Sequence, residues 1–389
     1  MQNASDPVPS VLSEFVQDYW DIMAGVFFAA LAFFFHTISQ PYLATLFAGL
    51  GIAAFSFTVS EIAEILADRL QEPYASFVLT FSAVAVEILL LFMILLESSH
   101  GPHALETVKG GIISAVIVDM NVLLGIAVFV GGLRFKEQEH NEDTSSTYTT
   151  ILLVASVMLL VPSLLQYSSG SGNSLMTASY IIAALLMFYY ITIFIFQTKT
   201  HIHFFKATAR SRIFRLRRKR AEKEGEEEEE EENYIFEKLP NIANFFAIFG
   251  LIFLIGIIAE IFASDGMQIA KDFGISAALA GLVIAIISVS PELFTAVKAA
   301  KSDQIQRVVN IAMGASTVSI LLTVPILMML SPFAGVHLSL DFNSLQIGAL
   351  ILTVILAWKT TDNGETNYVE GISHLMFFFA YAVIAAFYH

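Results

Sequence analysis

The chain has 389 residues, of which 56% are hydrophobic and 14% are charged, and its mean hydropathy is +0.70. A soluble domain usually carries about 25% charged residues. Composition therefore excludes a single large soluble core and indicates a polytopic membrane protein. The absence of cysteine excludes disulfides and thiolate metal sites. The formal net charge of −15 is misleading, because ten of the 35 acidic residues lie between Glu222 and Glu237.

The N-terminal stretch MQNASDPVPS lacks the basic region and the small-residue cleavage site of a signal peptide, so we expect none. Apolar runs of about 20 residues, the length that crosses a bilayer core, then predict eleven membrane-spanning helices and an all-α fold. The predicted spans are 20–37, 41–67, 74–96, 108–133, 148–168, 175–197, 241–262, 274–299, 307–331, 343–359 and 368–388. The first span is the shortest and is separated from the second only by Pro41 and its neighbours.

The basic residues predict how the chain is oriented. With eleven spans, the N-terminus and the loops after even-numbered spans share one side, which holds all but two of the 20 Lys and Arg residues. The exceptions are Lys109 and Lys271. Because basic residues favour the cytoplasmic side, we predict a multi-pass cell-membrane protein with a cytoplasmic N-terminus and an external C-terminus.

The polar interval 198–240 runs from a basic stretch, RSRIFRLRRKR, into an acidic one, EKEGEEEEEEEN. Charge blocks of this kind are typical of solvated linkers, and we predict a cytoplasmic linker here. Two alternatives stay open. The basic part, which contains interleaved apolar residues, suits an anionic membrane surface, and the acidic part suits the concentration of cations near an entrance.

The linker divides the spans into six and five. Without the first span, two sets of five remain, and because five is odd the second set enters the membrane from the opposite side. This predicts an inverted-topology repeat, as found in many transporters. The predicted divisions are 1–40 for the N-terminus and extra span, 41–197 and 241–389 for the two repeats, and 198–240 for the linker.

Two acids stand inside apolar runs: Glu87 in SAVAVEILLLFMILL (82–96) and Glu292 in IAIISVSPELFTAV (284–297). Each lies in the second helix of its set, so the inverted repeat predicts that they face each other near the membrane midplane. Ser288 lies one turn before Glu292. Pro291 directly precedes it, removes a backbone donor and frees a carbonyl that can bind a cation.

A charged side chain at the membrane centre costs about 2.5–3.5 kcal/mol on insertion scales. No lysine or arginine lies in the two spans at a matching depth. Either the acids are protonated at rest or a cation sits between them, and alternation between these states defines a cation/proton antiporter. Hard oxygen ligands favour Ca²⁺, or Na⁺ and K⁺. The alternative for either acid alone is a hydrogen bond to a neighbouring helix.

Three stretches together resemble the Ca²⁺/H⁺ antiporters of the calcium/cation antiporter superfamily, with the ChaA-type calcium (sodium, potassium)/proton antiporters most similar. The first is DRLQEPYASFVLTFSAVAVEILLLFMIL (68–95). The second is SVSPELFTAVKAAKSDQIQRVVNIAMGASTVSILLTVP (288–325), and the third is DNGETNYVEGISHLMFFFAYAVIAAFYH (362–389). The GGLR at 131–134 and the acidic linker also agree with this family.

The resemblance implies an eleven-helix exchanger with central glutamates at Glu87 and Glu292. It places Glu64 and Glu260, the acids of the first helix in each set, nearer the ion pathway. It also places signature serines within 114–119 and 314–319. Ser316 and Ser319 belong to the second of these stretches.

Asp119 stands where the family usually has an asparagine, inside the fourth span. If it faces the glutamates, the site has three acids, and stoichiometry or selectivity changes. A polar contact to a neighbouring helix is the equal alternative. For His374 in the last span we predict only a hydrogen bond to a neighbouring helix.

The sequence therefore predicts a secondary active antiporter that exports Ca²⁺, with Na⁺ and K⁺ as further substrates, in exchange for H⁺ by alternating access. A Na⁺ or K⁺/H⁺ antiporter with little Ca²⁺ activity is the main alternative. An intramembrane aspartyl-type protease is disfavoured because the spans lack its Gly-x-Gly-Asp turn, and a passive channel needs no titrating acids. We expect no cofactor, no nucleic-acid partner, and contacts with the lipid bilayer and the transported cations; the oligomeric state is left open.

Overall fold

The computed structural model describes residues 19–70, 74–100, 102–167, 172–201 and 234–387, and within these ranges the chain forms eleven long helices. The first six are α1 (Trp20–Thr37), α2 (Pro41–Arg69), α3 (Tyr74–Leu96), α4 (Pro102–Ile117, a π-helical segment Val118–Leu123, then Leu124–Phe135), α5 (Glu142–Leu160) and α6 (Gly172–Ile195). The last five are α7 (Asn241–Phe273), α8 (Ala277–Lys301), α9 (Ile305–Val318, a π-helical segment Ser319–Thr323, then Val324–Leu330), α10 (Ser344–Thr361) and α11 (Tyr368–Phe387).

Shorter elements join or extend these helices. They are the 3₁₀ turns Glu97–His100, Val161–Tyr167 and Ser331–Ala334, the π-helical end Phe196–Thr200 of α6, the single turn Ile235–Lys238, and the strands β1 (Glu137–Glu139) and β2 (Glu365–Asn367). Most of the predicted linker, with both charge blocks, falls on residues 202–233, which lie outside the described residues.

The prediction of eleven membrane spans is confirmed. Ten of the helices in the described ranges are long and apolar enough to cross a membrane. The eleventh, α3, has 23 residues, and its part Val84–Leu96 is also apolar. The fold is an all-α polytopic membrane protein with one extra helix, α1, before two sets of five, α2–α6 and α7–α11.

Helix ends differ from the predicted spans where capping, not hydropathy, decides them. The fifth helix begins at Glu142 and not near 148, so its first turns are polar. The Asn141 side chain caps this helix, because it accepts a hydrogen bond from the backbone N–H of Asp143 at 2.9 Å. The seventh helix runs on to Phe273, past the predicted end at 262. It stops there because Gly274 adopts a left-handed conformation, with φ of 61°.

Contacts between loops agree with the predicted alternation of sides. Strand β1, after the fourth helix, pairs antiparallel with β2, after the tenth. At the other end of the bundle, the Lys109 ammonium group at the start of α4 lies 2.8 Å from a carboxylate oxygen of Asp341, in the loop after α9. Loops after even-numbered helices thus meet at one end and loops after odd-numbered helices at the other, as two oppositely oriented sets require.

Glycines bring α4 and α8 into backbone contact. A Cβ atom added at Gly281 of α8 would lie 2.4 Å from the backbone nitrogen of Gly111 and 2.5 Å from the carbonyl carbon of Gly110. Such a distance is far inside van der Waals contact, so no larger side chain fits without moving the helices. This close crossing holds the helix that carries Asp119 against the helix that carries Glu292.

A buried histidine follows the short β ribbon and lies outside the membrane-spanning segments. His140 is 5% exposed, and its Nε2 lies 3.4 Å from the carbonyl oxygen of Thr361. Its Nδ1 atom is buried and has no hydrogen-bond partner. Burial lowers the pKa of His140 from 6.5 to about 4.

We expect this buried histidine to make stability fall in mild acid. Between pH 6.5 and 4 the unfolded chain binds a proton at His140 that the folded chain does not, so stability is complete above pH 6.5 and falls as the pH drops. The full effect is about 3 kcal/mol. Thermal unfolding in detergent at pH 7 and pH 4.5 measures it. His140→Gln should show a smaller pH effect than the wild type, whereas the exposed control His337→Gln should behave like the wild type.

Candidate cation site

Glu87 lies within α3 and is 7% exposed. Its Oε2 accepts hydrogen bonds from the Ser319 hydroxyl at 2.8 Å and the Thr323 hydroxyl at 3.3 Å, both from the π-helical segment of α9. Its Oε1 is buried and has no hydrogen-bond partner. The carboxyl group is thus held in place through Oε2, and Oε1 can bind a proton or a cation.

Asp119 lies in the π-helical segment of α4 and is 1% exposed. Its Oδ2 accepts a hydrogen bond from the Ser316 hydroxyl at 3.2 Å. Its Oδ1 is buried and has no hydrogen-bond partner. Asp119 therefore repeats the pattern of Glu87, with one oxygen held by a hydroxyl of α9 and one oxygen unpaired.

Glu292 lies on α8, where its side chain is half-buried and its Oε2 is buried without a hydrogen-bond partner. Pro291 has no backbone N–H, so the carbonyl of Ile287, four residues earlier, loses its usual helical donor. The Ser288 hydroxyl donates to the carbonyl of Ala285 at 3.0 Å, so this predicted site residue is engaged within its own helix.

The three acids form one cluster. Asp119 is close enough to Glu87 and to Glu292 for electrostatic interaction, and Glu292 interacts in the same way with Glu87. The acids come from α3, α4 and α8, and the hydroxyls that hold two of them come from α9. These are the second and third helices of the two repeats, so the site lies where the repeats meet.

The two π-helical segments occupy equivalent helices, α4 and α9, and both contribute to the cluster. A π-helical turn shifts the backbone hydrogen bonding by one residue and often marks a functional site. Sequence periodicity did not indicate either segment. It also missed Thr323, although its spacing of four residues from Ser319 was an available signal, because residues four apart lie on one helical face.

Two predicted pathway acids lie outside this cluster. Glu64 is 40% exposed and pairs at 2.8 Å with Arg307, itself 48% exposed. Glu260 is exposed on α7. Glu64 is thus neutralised by an exposed arginine, and Glu260 can be hydrated because it is exposed. Neither acid resembles the buried acids of the cluster. A role in the ion pathway stays a prediction for both.

A buried polar network supports the π-helical segment that carries Asp119. The Asn121 side-chain N–H₂ donates to the Thr353 hydroxyl at 3.0 Å, and its carbonyl oxygen lies 3.0 Å from Nδ1 of His374. Nε2 of His374 lies 3.0 Å from the Thr360 hydroxyl. Because the Asn121 oxygen can only accept, His374 donates from Nδ1 and accepts at Nε2. The predicted helix-to-helix role of His374 is confirmed.

We expect His374→Ala to destabilise the protein by about 1–2 kcal/mol, because it leaves the buried groups of Asn121 and Thr360 unpaired. The thermal midpoint in detergent measures this loss. The control Tyr381→Phe removes only a 3.4 Å contact with Ser114, also between α11 and α4, and should cost less. Equal midpoints for His374→Ala and the wild type would contradict the supporting role of the network.

The three acids do not complete a metal site by themselves. In the described part of the chain, no three or more His, Asp or Glu side chains are grouped to hold a metal ion. A cation at the acids would complete its shell with hydroxyl and backbone oxygens. Such ligands bind hard cations weakly enough for release.

Comparison with known proteins places the chain in a family. Residues 41–199 and 243–387 match the family model described as sodium/calcium exchanger protein. The two matched parts contain α2–α6 and α7–α11, and together they make up well over half of the chain. The chain belongs to this family of membrane exchangers, and it is a transporter and not an enzyme.

Curated relatives agree over most of their length. The chain is 25% identical to a sodium-potassium/proton antiporter, ChaA, from Escherichia coli over 340 residues, which is 86% of this chain and 87% of the relative. It is 26% identical to a Ca²⁺/H⁺ antiporter from Synechocystis, over 78% of this chain and 80% of the relative. The solved structure of native YfkE has the same fold, with a TM-score of 0.74 and 17% identity over 94% of this chain and 99% of that one.

Proposed function

We propose that this chain is a secondary active cation/proton antiporter in which Glu87, Asp119 and Glu292 bind the transported cation and protons in turn. The observation that carries the proposal is the set of three unpaired carboxylate oxygens, one on each acid, all buried in a single cluster. Unpaired carboxylates in a membrane must be neutralised. Protons and cations are the two species that can do this reversibly.

The hydroxyls of α9 make the acids usable for exchange. Ser319 and Thr323 hold one oxygen of Glu87, and Ser316 holds one oxygen of Asp119, so the carboxyl groups keep their orientation when their charge changes. A cation that enters the cluster displaces protons from the unpaired oxygens. The loaded site then reorients, and protons from the other side displace the cation.

The inverted repeat supplies the reorientation. The acids lie on helices from both sets, and the two sets have opposite orientation in the membrane. A movement of one set against the other therefore exposes the same acids first to one side and then to the other. The proton gradient sets the direction, so protons that enter the cell drive the cation out.

We propose Ca²⁺ as the exported cation, with Na⁺ and K⁺ as further substrates. Carboxylate, hydroxyl and carbonyl oxygens suit all three ions. The relative from Synechocystis is named for Ca²⁺ and the one from Escherichia coli for sodium and potassium. A Na⁺ or K⁺/H⁺ antiporter with little Ca²⁺ activity is the second candidate, because the cluster lacks the neutral amide that the asparagine usual at position 119 would add.

The protein is a multi-pass membrane protein, and its surroundings follow from that. Large apolar side chains such as Phe246 and Phe253 are exposed on α7 and suit contact with lipid. We place it in the cell membrane, and we expect it to bind the transported cations and no resident cofactor. The 198–240 linker would then lie in the cytoplasm.

The test is proton flux in proteoliposomes with the purified protein. A proton gradient is set up across the membrane and is followed with a pH-sensitive dye inside the vesicles. Ca²⁺, Na⁺, K⁺ and Mg²⁺ are then added in separate experiments. The proposal expects a cation that dissipates the gradient in a saturable manner, with Ca²⁺ as the most effective. Response to Na⁺ or K⁺ alone would favour the second candidate, and no response to any cation would contradict both.

A further inference from the structure

A further buried carboxylate lies outside the acid cluster, at the start of α1. Asp21 is 2% exposed, and its Oδ2 accepts a hydrogen bond from the Thr58 hydroxyl of α2 at 2.5 Å. Its Oδ1 is buried and has no hydrogen-bond partner. The helix dipole favours an acid in the first turn, but it does not supply the missing partner of this oxygen.

A second acid lies beside the first. Glu61 follows Thr58 by three residues on α2, so both face the same way, and Glu61 interacts electrostatically with Asp21. One of its oxygens, Oε2, accepts a hydrogen bond from the hydroxyl of Tyr234 at 3.0 Å. The buried Asp21 and the exposed Glu61 therefore lie on either side of the Thr58 hydroxyl, and Tyr234 contacts Glu61.

In the described part of the chain, charged groups of both signs act on Glu61. Lys298 of α8 interacts with Glu61, but Glu64 of α2 also acts on it with the opposite sign. The nearby Arg307 is paired with Glu64. Among the described residues, one exposed lysine thus acts on Glu61, and the buried Asp21 has an oxygen that no donor reaches.

We propose that Asp21, Thr58 and Glu61 form a second cation-binding site, separate from the transport site, for a hard cation such as Ca²⁺. Two carboxylates and a hydroxyl are the ligand types that such ions prefer. Tyr234, whose hydroxyl contacts Glu61, follows the acidic run Glu226–Glu232 by two residues in the sequence.

A cation there joins three parts of the chain. The Tyr234 ring stacks on Tyr19 with 5.5 Å between centroids, and the Tyr19 hydroxyl accepts a hydrogen bond from the backbone N–H of Ile235 at 2.8 Å. The start of α1, the end of α2 and the segment that leads into α7 therefore meet at this site. Binding would hold the extra helix and the end of the linker against the first helix of each repeat.

The experiment separates this site from the transport site. Equilibrium binding of ⁴⁵Ca²⁺ is measured on the full chain in detergent, in a background of Glu87→Gln with Glu292→Gln that disables the transport site. We expect saturable binding to persist in this background. Adding Asp21→Asn should weaken it about 10-fold or more, as loss of a metal-binding group does. The control Asp272→Asn, at an exposed acid near the end of α7, should leave it nearly unchanged.

Two outcomes overturn the proposal. One is that the background protein shows no saturable binding of Ca²⁺, with or without Na⁺ in the buffer. The other is that Asp21→Asn has no effect, whereas replacement of Glu226–Glu232 by glutamines removes the binding, which would assign it to the linker. Thermal midpoints check that each variant is folded, and neither outcome affects the proposed transport function.

Discussion

Glu87→Gln and Glu292→Gln are each expected to abolish exchange while the protein still inserts and folds. Glutamine keeps the shape of the side chain, and at position 87 it can still accept hydrogen bonds from Ser319 and Thr323. At either position it can neither release a proton nor carry the charge that attracts a cation. The flux of protons driven by the cation should fall by about 100-fold or more, as expected for loss of a group that transfers protons.

Each of the two variants should be as stable as the wild type or more stable. The Oε1 of Glu87 and the Oε2 of Glu292 are buried without donors, so removal of either charge relieves a cost and does not break a pair. Flux in proteoliposomes and the thermal midpoint in detergent are measured on the same preparation. Asp272→Asn is the matched control, because it removes an exposed acid near the end of α7, and it should keep most of the flux. Full exchange by either central variant would contradict the proposed site.

The helices themselves were predictable because lipid imposes a length on them. An unbroken apolar run of about 20 residues has few alternatives in a bilayer, and the eleven predicted spans correspond one to one to α1–α11. The two glutamates stood out for the same reason, since each is an acid in a run where acids are costly. The odd number of helices in each set then predicted that the helix of Glu87 and the helix of Glu292 cross the membrane in opposite directions.

The rotation of each helix about its axis was not predictable in the same way. In lipid both the packed and the outer faces of a helix are apolar, so hydropathy does not distinguish the side that carries Ser316 from the side of Val318. The π-helical segments of α4 and α9 shift this rotation further. The buried state of Asp21 was also hidden, because it depends on Thr58, in another helix, and not on its own neighbours in sequence.

Asp119→Asn is expected to lower the number of protons exchanged for each cation. If all three acids release protons when the cation binds, three positive charges leave for the two that Ca²⁺ brings, and exchange depends on membrane voltage. With asparagine at this position two acids remain, and two protons balance one Ca²⁺. The variant should therefore exchange Ca²⁺ without a net movement of charge.

The reversal potential measures this directly. In proteoliposomes with fixed gradients of Ca²⁺ and H⁺, the wild type should have a membrane voltage at which net flux stops, whereas no voltage should stop net flux through Asp119→Asn. At a fixed pH gradient the wild type should respond to voltage, by about 2.3 kcal/mol for each charge moved through 100 mV, and the variant should not. Ser316→Ala is the control, because it removes the hydrogen bond to Asp119 but keeps the acid, so its stoichiometry should match that of the wild type. Asp119 counts as a third exchanging acid only if its removal changes this stoichiometry; an unchanged reversal potential and an unchanged order of cation preference would leave it as a contact between α4 and α9.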